Sequence, residues 1–149
     1  MIFMKKLAVL VGIVIGSIAF ISCNELTAIF CAGSNCYAEN YNMHTTEKKL
    51  INAIRIFKEE NPDMIVPYDN WDDYDYGDFY FASFYYKDKD VCISTCVKGG
   101  TLQFISVWSV TKETGGLVNQ DIKGSENKAV KKEFEQRIVK PLKEILVRK

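Results

Sequence analysis

Apolar residues recur at helical spacing in a stretch that begins shortly after residue 45. Leu50, Ile54 and Phe57 fall on one face of a helix, and charged residues occupy the other faces. A threonine pair followed by glutamate precedes the stretch, which is typical of a helix start, and Asn61-Pro62 follows it. The pattern therefore predicts an amphipathic helix over residues 45–60.

A second stretch with the same periodicity lies at the carboxyl end, over residues 126–147. Its apolar stripe consists of six residues: Val130, Phe134, Ile138, Leu142, Ile145 and Leu146. Pro141 falls inside this stretch, and a proline within a helix removes one backbone hydrogen bond and clashes with the preceding turn. The sequence therefore predicts a second helix with a kink or a break near residues 139–140.

Aromatic and β-branched residues are concentrated between the two predicted helices. They form three runs, at residues 79–86, 91–97 and 102–111, separated by Lys-Asp-Lys-Asp and Lys-Gly-Gly. Short runs of this composition joined by turn sequences are typical of an antiparallel meander. In the last run we expect the even-numbered apolar side chains to face the helices: Leu102, Phe104, Trp108 and Val110.

These elements predict a single small α+β domain over residues 45–149. A three-stranded sheet with one apolar face needs a cover in water, and the two amphipathic helices can supply it. We therefore expect a two-layer sandwich in which an N-terminal and a C-terminal helix pack on a three-stranded antiparallel meander. We also expect disulfides to brace this small core, since the chain contains five cysteines.

The first 23 residues have the organisation of an export signal. Lys5 and Lys6 precede an uncharged stretch at residues 7–21, and the small residue Ser22 then stands directly before Cys23. A membrane-spanning helix needs roughly 20 apolar residues, so the uncharged stretch is too short for a permanent span. The sequence predicts a signal that is cleaved.

The tetrapeptide Phe20-Ile21-Ser22-Cys23 resembles the lipobox of bacterial lipoproteins. The resemblance implies that residues 1–22 are a signal peptide and that Cys23 is acylated after cleavage. The residues that follow, up to residue 41, are small, polar and rich in turn formers, so we expect residues 23–44 to form a lipid-anchored tether with a disulfide loop. The protein would then be held at a membrane of the bacterial cell envelope.

The residue after the predicted lipid-attachment site is Asn24 rather than aspartate. By analogy with enteric lipoproteins, this favours the outer membrane, on the side that faces the periplasm. The alternative is an ordinary secretory signal that is cleaved after Ala28 or Ala38, which would leave a protein without a lipid anchor.

Apart from the predicted lipid site, four cysteines remain: Cys31, Cys36, Cys92 and Cys96. An even number in a small exported protein indicates two disulfides. If residues 91–97 form a strand, its two cysteines lie about 13 Å apart, whereas a disulfide needs Cα atoms within roughly 7 Å. We then expect both to bond to Cys31 and Cys36, although a turn at residues 94–95 would permit the local pairs 31–36 and 92–96.

The spacings C-x4-C and C-x3-C do not match common zinc sites, so no metal is expected.

The segment at residues 68–80 combines many aspartates with aromatic residues. Its candidate ligand-binding residues are Trp71, Asp72, Asp73, Tyr74, Asp75 and Tyr76. A calcium site is disfavoured because, counting from Asp72, the third and fifth positions are tyrosines. Exposed rings could stack on a glycan while aspartates bind its hydroxyls, or they could contact a protein, since Tyr and Trp are enriched in interfaces. The structural interpretation is that the rings pack on the sheet and the aspartates keep the loop soluble.

The residues needed for catalysis are scarce in this chain. It has one histidine, His44, and no recognisable Ser-His-Asp set, phosphate-binding glycine loop or H-E-x-x-H motif. Two carboxylates for glycoside hydrolysis could come from the acidic segment, but any loop with this many acids would offer them. We therefore expect a protein without enzymatic activity and without a cofactor, and a small hydrolase is the least favoured alternative.

The charge of the chain argues against a nucleic-acid partner. It carries 19 basic and 19 acidic residues, and Lys5 and Lys6 leave with the predicted signal. Acidic residues are concentrated at residues 59–90 and basic ones at residues 112–149, which suits docking to a charged partner.

We expect a lipid-anchored envelope protein that binds a protein, as an assembly accessory or as a toxin inhibitor. The alternative is a module that binds glycan or peptidoglycan through residues 68–80.

Overall fold

The computed structural model describes residues 36–68 and 73–148. The chain divides into a first unit at residues 1–36 and a compact second unit at residues 37–149, which contains every element named below.

The strands are β1 (Glu39–Asn42), β2 (Tyr74–Tyr76), β3 (Phe79–Tyr86), β4 (Val91–Lys98), β5 (Thr101–Ser109) and β6 (Thr114–Leu117). The helices are α1 (Glu47–Glu60), α2 (Gly124–Phe134) and α3 (Lys140–Val147), with a 3-10 turn at Pro62–Met64 and a π-helical turn at Glu135–Val139. Among the described residues, no helix combines the length and the apolar character needed to cross a bilayer.

The six strands form one antiparallel sheet in the order β1-β5-β4-β3-β2, and β6 also pairs with β5. β1 pairs with the first half of β5 and β6 with its second half. The predicted α+β class and the three central strands, β3, β4 and β5, are confirmed. The predicted number of strands is wrong, because β1, β2 and β6 extend the sheet at its edges. β1 lies within residues 23–44, the stretch expected to be a tether.

α1 begins and ends close to the residues that its sequence signals indicate. The hydroxyl of Thr46 accepts a hydrogen bond at 3.4 Å from a backbone N–H of the first turn. At the other end, the side-chain amide of Asn61 donates to the carbonyl of Phe57 at 2.8 Å. Glu47 also accepts a hydrogen bond from the backbone N–H of Gly99 at 2.6 Å, so the helix start is tied to the β4–β5 turn.

The C-terminal helical segment contains one π-helical turn between α2 and α3. The backbone N–H of Lys140 donates to the carbonyl of Glu135, five residues back instead of four. Pro141 follows and has no N–H to donate, so the wider turn accommodates the missing bond without ending the helix. The predicted irregularity near residues 139–140 is confirmed, and it takes the form of a π-helical turn.

Both helical segments cover one face of the sheet, so the fold has two layers. Buried residues from α1, from the sheet and from the C-terminal segment form a single core. Its largest fully buried members include Leu50, Ile54, Phe84, Ile93, Leu102, Phe104, Phe134, Ile138 and Leu142. The rings of Phe104 and Phe134 stack with centroids 4.3 Å apart, which joins β5 directly to α2.

A bulge in β5 makes the predicted orientation of its second half wrong. The register between β4 and β5 shifts at Ser94 and Thr95, which leaves Ile105 as an extra residue on β5. Because one extra residue shifts the alternation by one, the side chains that follow change faces. Trp108, an expected core residue, is 39 % exposed on the opposite face, whereas Val107 packs against the core.

The predicted disulfides between the N-terminal segment and the sheet are wrong. Cys92 and Cys96 are fully buried free thiols on β4, and burial raises the pKa of each to about 11. An unpaired cysteine in such a place acts as a small apolar side chain. Cys36 is disulfide-bonded, but its partner is neither of the sheet cysteines. Cys31 lies outside the described residues.

Asp90 closes the turn between β3 and β4. Its carboxylate accepts hydrogen bonds from the backbone N–H of Thr111 and from the hydroxyl of Tyr85, each at 2.8 Å. These bonds hold the pKa of the Asp90 carboxyl below its usual value, and the bonds from Thr111 have the largest effect. The residue has a φ of 53°, a conformation that asparagine also tolerates.

We expect acid to destabilise the fold partly through Asp90. Because the pKa of this carboxyl is lower in the folded chain, its contribution to stability is complete above the unfolded pKa of about 4 and is lost as the pH falls through the folded value. Urea unfolding between about pH 6 and pH 3 should therefore show a shallower decline in Asp90→Asn than in the unmodified chain. Asp78→Asn, in an exposed turn, is the control. An unchanged decline in Asp90→Asn would contradict the assignment.

Candidate functional site

The sheet face opposite the helices, the outer face, carries a row of aromatic side chains. Alternation along β2, β3 and β5 places them there, because their neighbours along each strand point to the helix side. We call this set the aromatic strip: Tyr68, Tyr74, Tyr76, Phe79, Phe81, Tyr85 and Trp108. Tyr68 joins it from the loop after α1, where its ring meets that of Tyr85 edge-on at a centroid distance of 6.3 Å.

The rings of the aromatic strip contact one another across β2 and β3. Tyr74 stacks on Phe81 with centroids 5.0 Å apart and planes 17° apart, and Phe79 lies 6.2 Å from Phe81. The ammonium group of Lys98 on β4 lies 4.5 Å from the centroid of the Phe79 ring. Cross-strand aromatic pairs and exposed cation–π pairs each contribute up to about 1 kcal/mol, so these contacts order the strip without burying it.

Tyr74 and Tyr76 are the most exposed members of the strip, at 56 % and 73 %. They belong to β2, the terminal strand, which pairs with β3. The two-residue turn between β2 and β3 begins with Gly77, whose φ of 60° is the conformation that tight hairpin turns require. The short hairpin therefore holds two aromatic rings in solvent on a sheet that is anchored to the core.

Small side chains occupy the middle of the outer face. Cys92 and Cys96 lie on β4, opposite aromatic residues of β3. Ser83, Ser94 and Ser106 lie side by side across β3, β4 and β5. These small side chains therefore separate the rings of β2 and β3 from Trp108 on β5.

Asp73 fixes the start of β2 and does not belong to the aromatic strip. Its carboxylate accepts hydrogen bonds from the ammonium group of Lys58, from the backbone N–H of Ser83 at 3.1 Å and from the hydroxyl of Tyr80 at 3.0 Å. Burial, and then the nearby Asp73 carboxylate, raises the pKa of Tyr80 to about 12. The network ties the hairpin that carries the exposed tyrosines to both α1 and β3.

Removal of the Asp73 carboxylate should destabilise the domain by about 2 kcal/mol. Asp73→Ala leaves the Lys58 ammonium group, whose side chain is 14 % exposed, without its acceptor. The free energy of unfolding in urea measures the loss, and Asp78→Ala in the exposed turn is the matched control. A difference between the two variants below about 0.5 kcal/mol, the usual range for surface substitutions, would contradict this role.

The other predicted ligand-binding residues do not form one group. Asp75 alternates to the helix side of β2, where it lines a groove together with Arg55 of α1. Trp71 and Asp72 lie outside the described residues. Of the predicted set, the two tyrosines therefore lie in the aromatic strip, and the two described aspartates do not.

Sequence reasoning missed Phe79, Phe81, Tyr85 and Trp108 as members of a surface. Strict alternation along residues 79–86 could have assigned the three residues on β3, because the even positions are the buried ones. Trp108 carried no such signal, since its orientation depends on the bulge at Ile105.

Within residues 36–68 and 73–148, no three histidine, cysteine, aspartate or glutamate side chains lie close enough together to hold a metal ion. His44 is exposed in the turn before α1, with a φ of 51°. Comparison of the chain with protein-family models, curated proteins and solved structures found no match.

Proposed function

We propose that this protein is a lipid-anchored bacterial cell-envelope protein that binds a protein partner through the aromatic strip and has no enzymatic activity. The observation that carries the proposal is the exposure of Tyr74 and Tyr76 on a hairpin fixed to the core. A contiguous exposed apolar patch marks an interaction site more often than it serves folding. The partner would be a component of an envelope assembly or a toxin that the protein inhibits.

A protein partner suits the chemistry and the dimensions of the aromatic strip. Tyrosine and tryptophan are enriched among the residues that dominate binding energy, and their rings lose little conformational entropy on binding. The strip crosses β2 to β5, and neighbouring strands lie about 4.8 Å apart, so it spans about 15 Å. A surface of that width can contribute the centre of a standard protein interface.

The lipid anchor is supported by the charge pattern and the lipobox resemblance of residues 1–23, which lie outside the described residues. Acylation at Cys23 would hold the domain at the membrane surface, because each buried methylene contributes about 0.8 kcal/mol. Mass spectrometry of the mature protein should show an acylated Cys23 at the amino end. A mature protein that begins downstream of Cys23 would contradict the anchor and leave the binding surface untouched.

A glycan is the second candidate ligand, and the exposure of Tyr76 favours it, because sugar rings stack on free aromatic faces. Tyr74 offers less, since one face of its ring is covered by Phe81. The protein partner is preferred because the strip continues beyond these rings to Tyr85 and Trp108. Soluble peptidoglycan fragments that compete with the partner would favour the glycan instead.

Crosslinked capture from envelope membranes tests the proposed function. The full chain with Cys23 intact is compared with a variant that combines Tyr74→Ala and Tyr76→Ala, and we expect recovery of the partner to fall at least tenfold, about the effect of losing one binding hot spot. Val147→Ala, an exposed apolar residue on α3, is the matched control and should leave recovery unchanged. Equal recovery from the tyrosine variant would contradict the proposal.

A further inference from the structure

A groove of about 360 Å³ lies on the helix side of the sheet, between the β5–β6 ribbon and the first turns of α2. Half-buried apolar residues from both sides line it: Val91, Val107, Ile122 and Val130. Its volume falls within the range of about 300–1,000 Å³ that is typical of small-molecule sites. The groove is separate from the aromatic strip, which occupies the opposite face of the sheet.

A glycine and a fixed loop shape one wall of this groove. A Cβ atom at Gly116 would lie 2.9 Å from the Cβ atom of Asp121 and 3.4 Å from Cγ1 of Ile122. The Asp121 carboxylate accepts a hydrogen bond from the backbone N–H of Leu117 at 2.8 Å, which holds the loop in front of the glycine. The wall is therefore formed before any ligand arrives, and binding would require little rearrangement.

The polar groups at this groove are acidic or neutral. They are the carboxylates of Asp121 and Glu126 and the hydroxyls of Ser109 and Thr114, and no lysine or arginine is among the described lining residues. Glu126 belongs to none of the salt bridges formed by the described residues. Valine and isoleucine walls with an acidic rim complement a ligand that has an aliphatic body and a positive end.

We propose that this groove binds a small aliphatic amine, with the ammonium group at Glu126 and the alkyl chain against the valine walls. The hydroxyls of Ser109 and Thr114 supply further acceptors for the ammonium hydrogens. A docked protein segment does not suit the groove, because a helix is about 10–12 Å wide and a stable interface buries about 800 Å² on each partner. The size of the groove suits a small molecule.

Titration with hexylamine tests the proposal, and hexanoate and hexanol are matched probes of the same chain length. We expect hexylamine to bind with backbone ¹⁵N–¹H shift changes centred on Val107, Gly116 and Glu126. The affinity for the two other probes should be at least tenfold weaker, about the contribution of one charge-assisted hydrogen bond. Glu126→Gln should weaken hexylamine binding about tenfold, whereas Glu113→Gln, outside the groove, should not.

Gly116→Ala is a second variant that narrows the groove without changing its charge, and it should also weaken hexylamine binding. Absence of hexylamine binding, equal binding of hexanoate, or unchanged binding in Glu126→Gln would overturn the proposal. None of these residues belongs to the aromatic strip. If the chain still captures its protein partner but binds no amine, this inference alone is rejected. The proposed function would then remain supported.

Discussion

Gly100→Ala is expected to destabilise the domain by about 4 kcal/mol, through two independent effects. Gly100 has a φ of 79°, a conformation that costs a residue with a side chain about 1–3 kcal/mol. In addition, a Cβ atom there would overlap the backbone carbonyl of Thr45, and overpacking against rigid backbone costs about 1–3 kcal/mol. The close approach brings the β4–β5 turn against the chain that enters α1, where Met43 donates its backbone N–H to the Gly100 carbonyl at 3.2 Å.

The neighbouring glycine separates the two effects. Gly99 also has a positive φ, 56°, but among the described residues no atom beyond its chain neighbours lies within 4 Å of a Cβ atom built on it. Gly99→Ala should therefore show the conformational cost alone, about 1 kcal/mol. Thermal and urea unfolding of both variants measure the difference. Equal destabilisation of the two would show that the contact between Gly100 and Thr45 does not constrain the turn.

Phe134→Ala is expected to cost about 4 kcal/mol, because it removes a large side chain from the centre of the core. The Phe134 ring is fully buried, stacks on Phe104 and lies 5.4 Å from the ring of Tyr41. These contacts join α2 to β5 and to the edge strand β1, so the cavity would loosen both layers. A net stability of about 5–15 kcal/mol is usual for a domain, and the loss would leave little of it.

Phe134→Leu keeps most of the buried volume and is the control for the loss of Phe134. We expect it to cost less than half as much as the alanine variant, because the remaining cavity is smaller. The free energy of unfolding in urea compares the two variants with the unmodified chain. A cost below about 2 kcal/mol for Phe134→Ala would mean that the C-terminal helical segment is not held by this core.

The long elements could be predicted from the sequence because each contains several repeats of its own period. α1 shows helical spacing over 14 residues, and β3 alternates over eight. The buried face of each element could therefore be predicted from its own residues. β1, β2 and β6 have four, three and four residues, and two of them are rich in asparagine or glycine. Such segments become strands because a neighbouring strand pairs with them, and no local pattern records that neighbour.

The position of Trp108 could not be predicted for a related reason. Strict alternation from Phe104 assigns Trp108 to the core, and one inserted residue, Ile105, reverses that assignment.

The predicted disulfides were wrong for a different reason. The sequence left open both a local bond between Cys92 and Cys96 and bonds from them to the N-terminal segment, and both cysteines are free thiols. A long-range disulfide depends on which segments meet in space, and residue counting does not supply that.

The candidate site was predicted in part, because composition drew attention to residues 68–80 but treated them as one unit. Side chains alternate between the two faces of the sheet along β2, so Tyr74 and Tyr76 lie on the outer face and Asp75 lies on the helix side. Asp73 was grouped with the ligand candidates, and its burial against Lys58 shows that it supports the hairpin. The strip itself is assembled from three strands and a loop, so it exists only in the folded chain.

The most direct test of the aromatic strip as a partner-binding surface is site-specific photo-crosslinking in intact envelopes. A photoreactive amino acid is placed at position 76, in the strip, and in a separate chain at position 147, on the helix layer. If the strip binds the partner, we expect a discrete crosslinked protein at position 76 that is weak at position 147 and is lost when Tyr74→Ala is added. Crosslinks of equal yield at both positions, or none at position 76, would contradict binding through the strip.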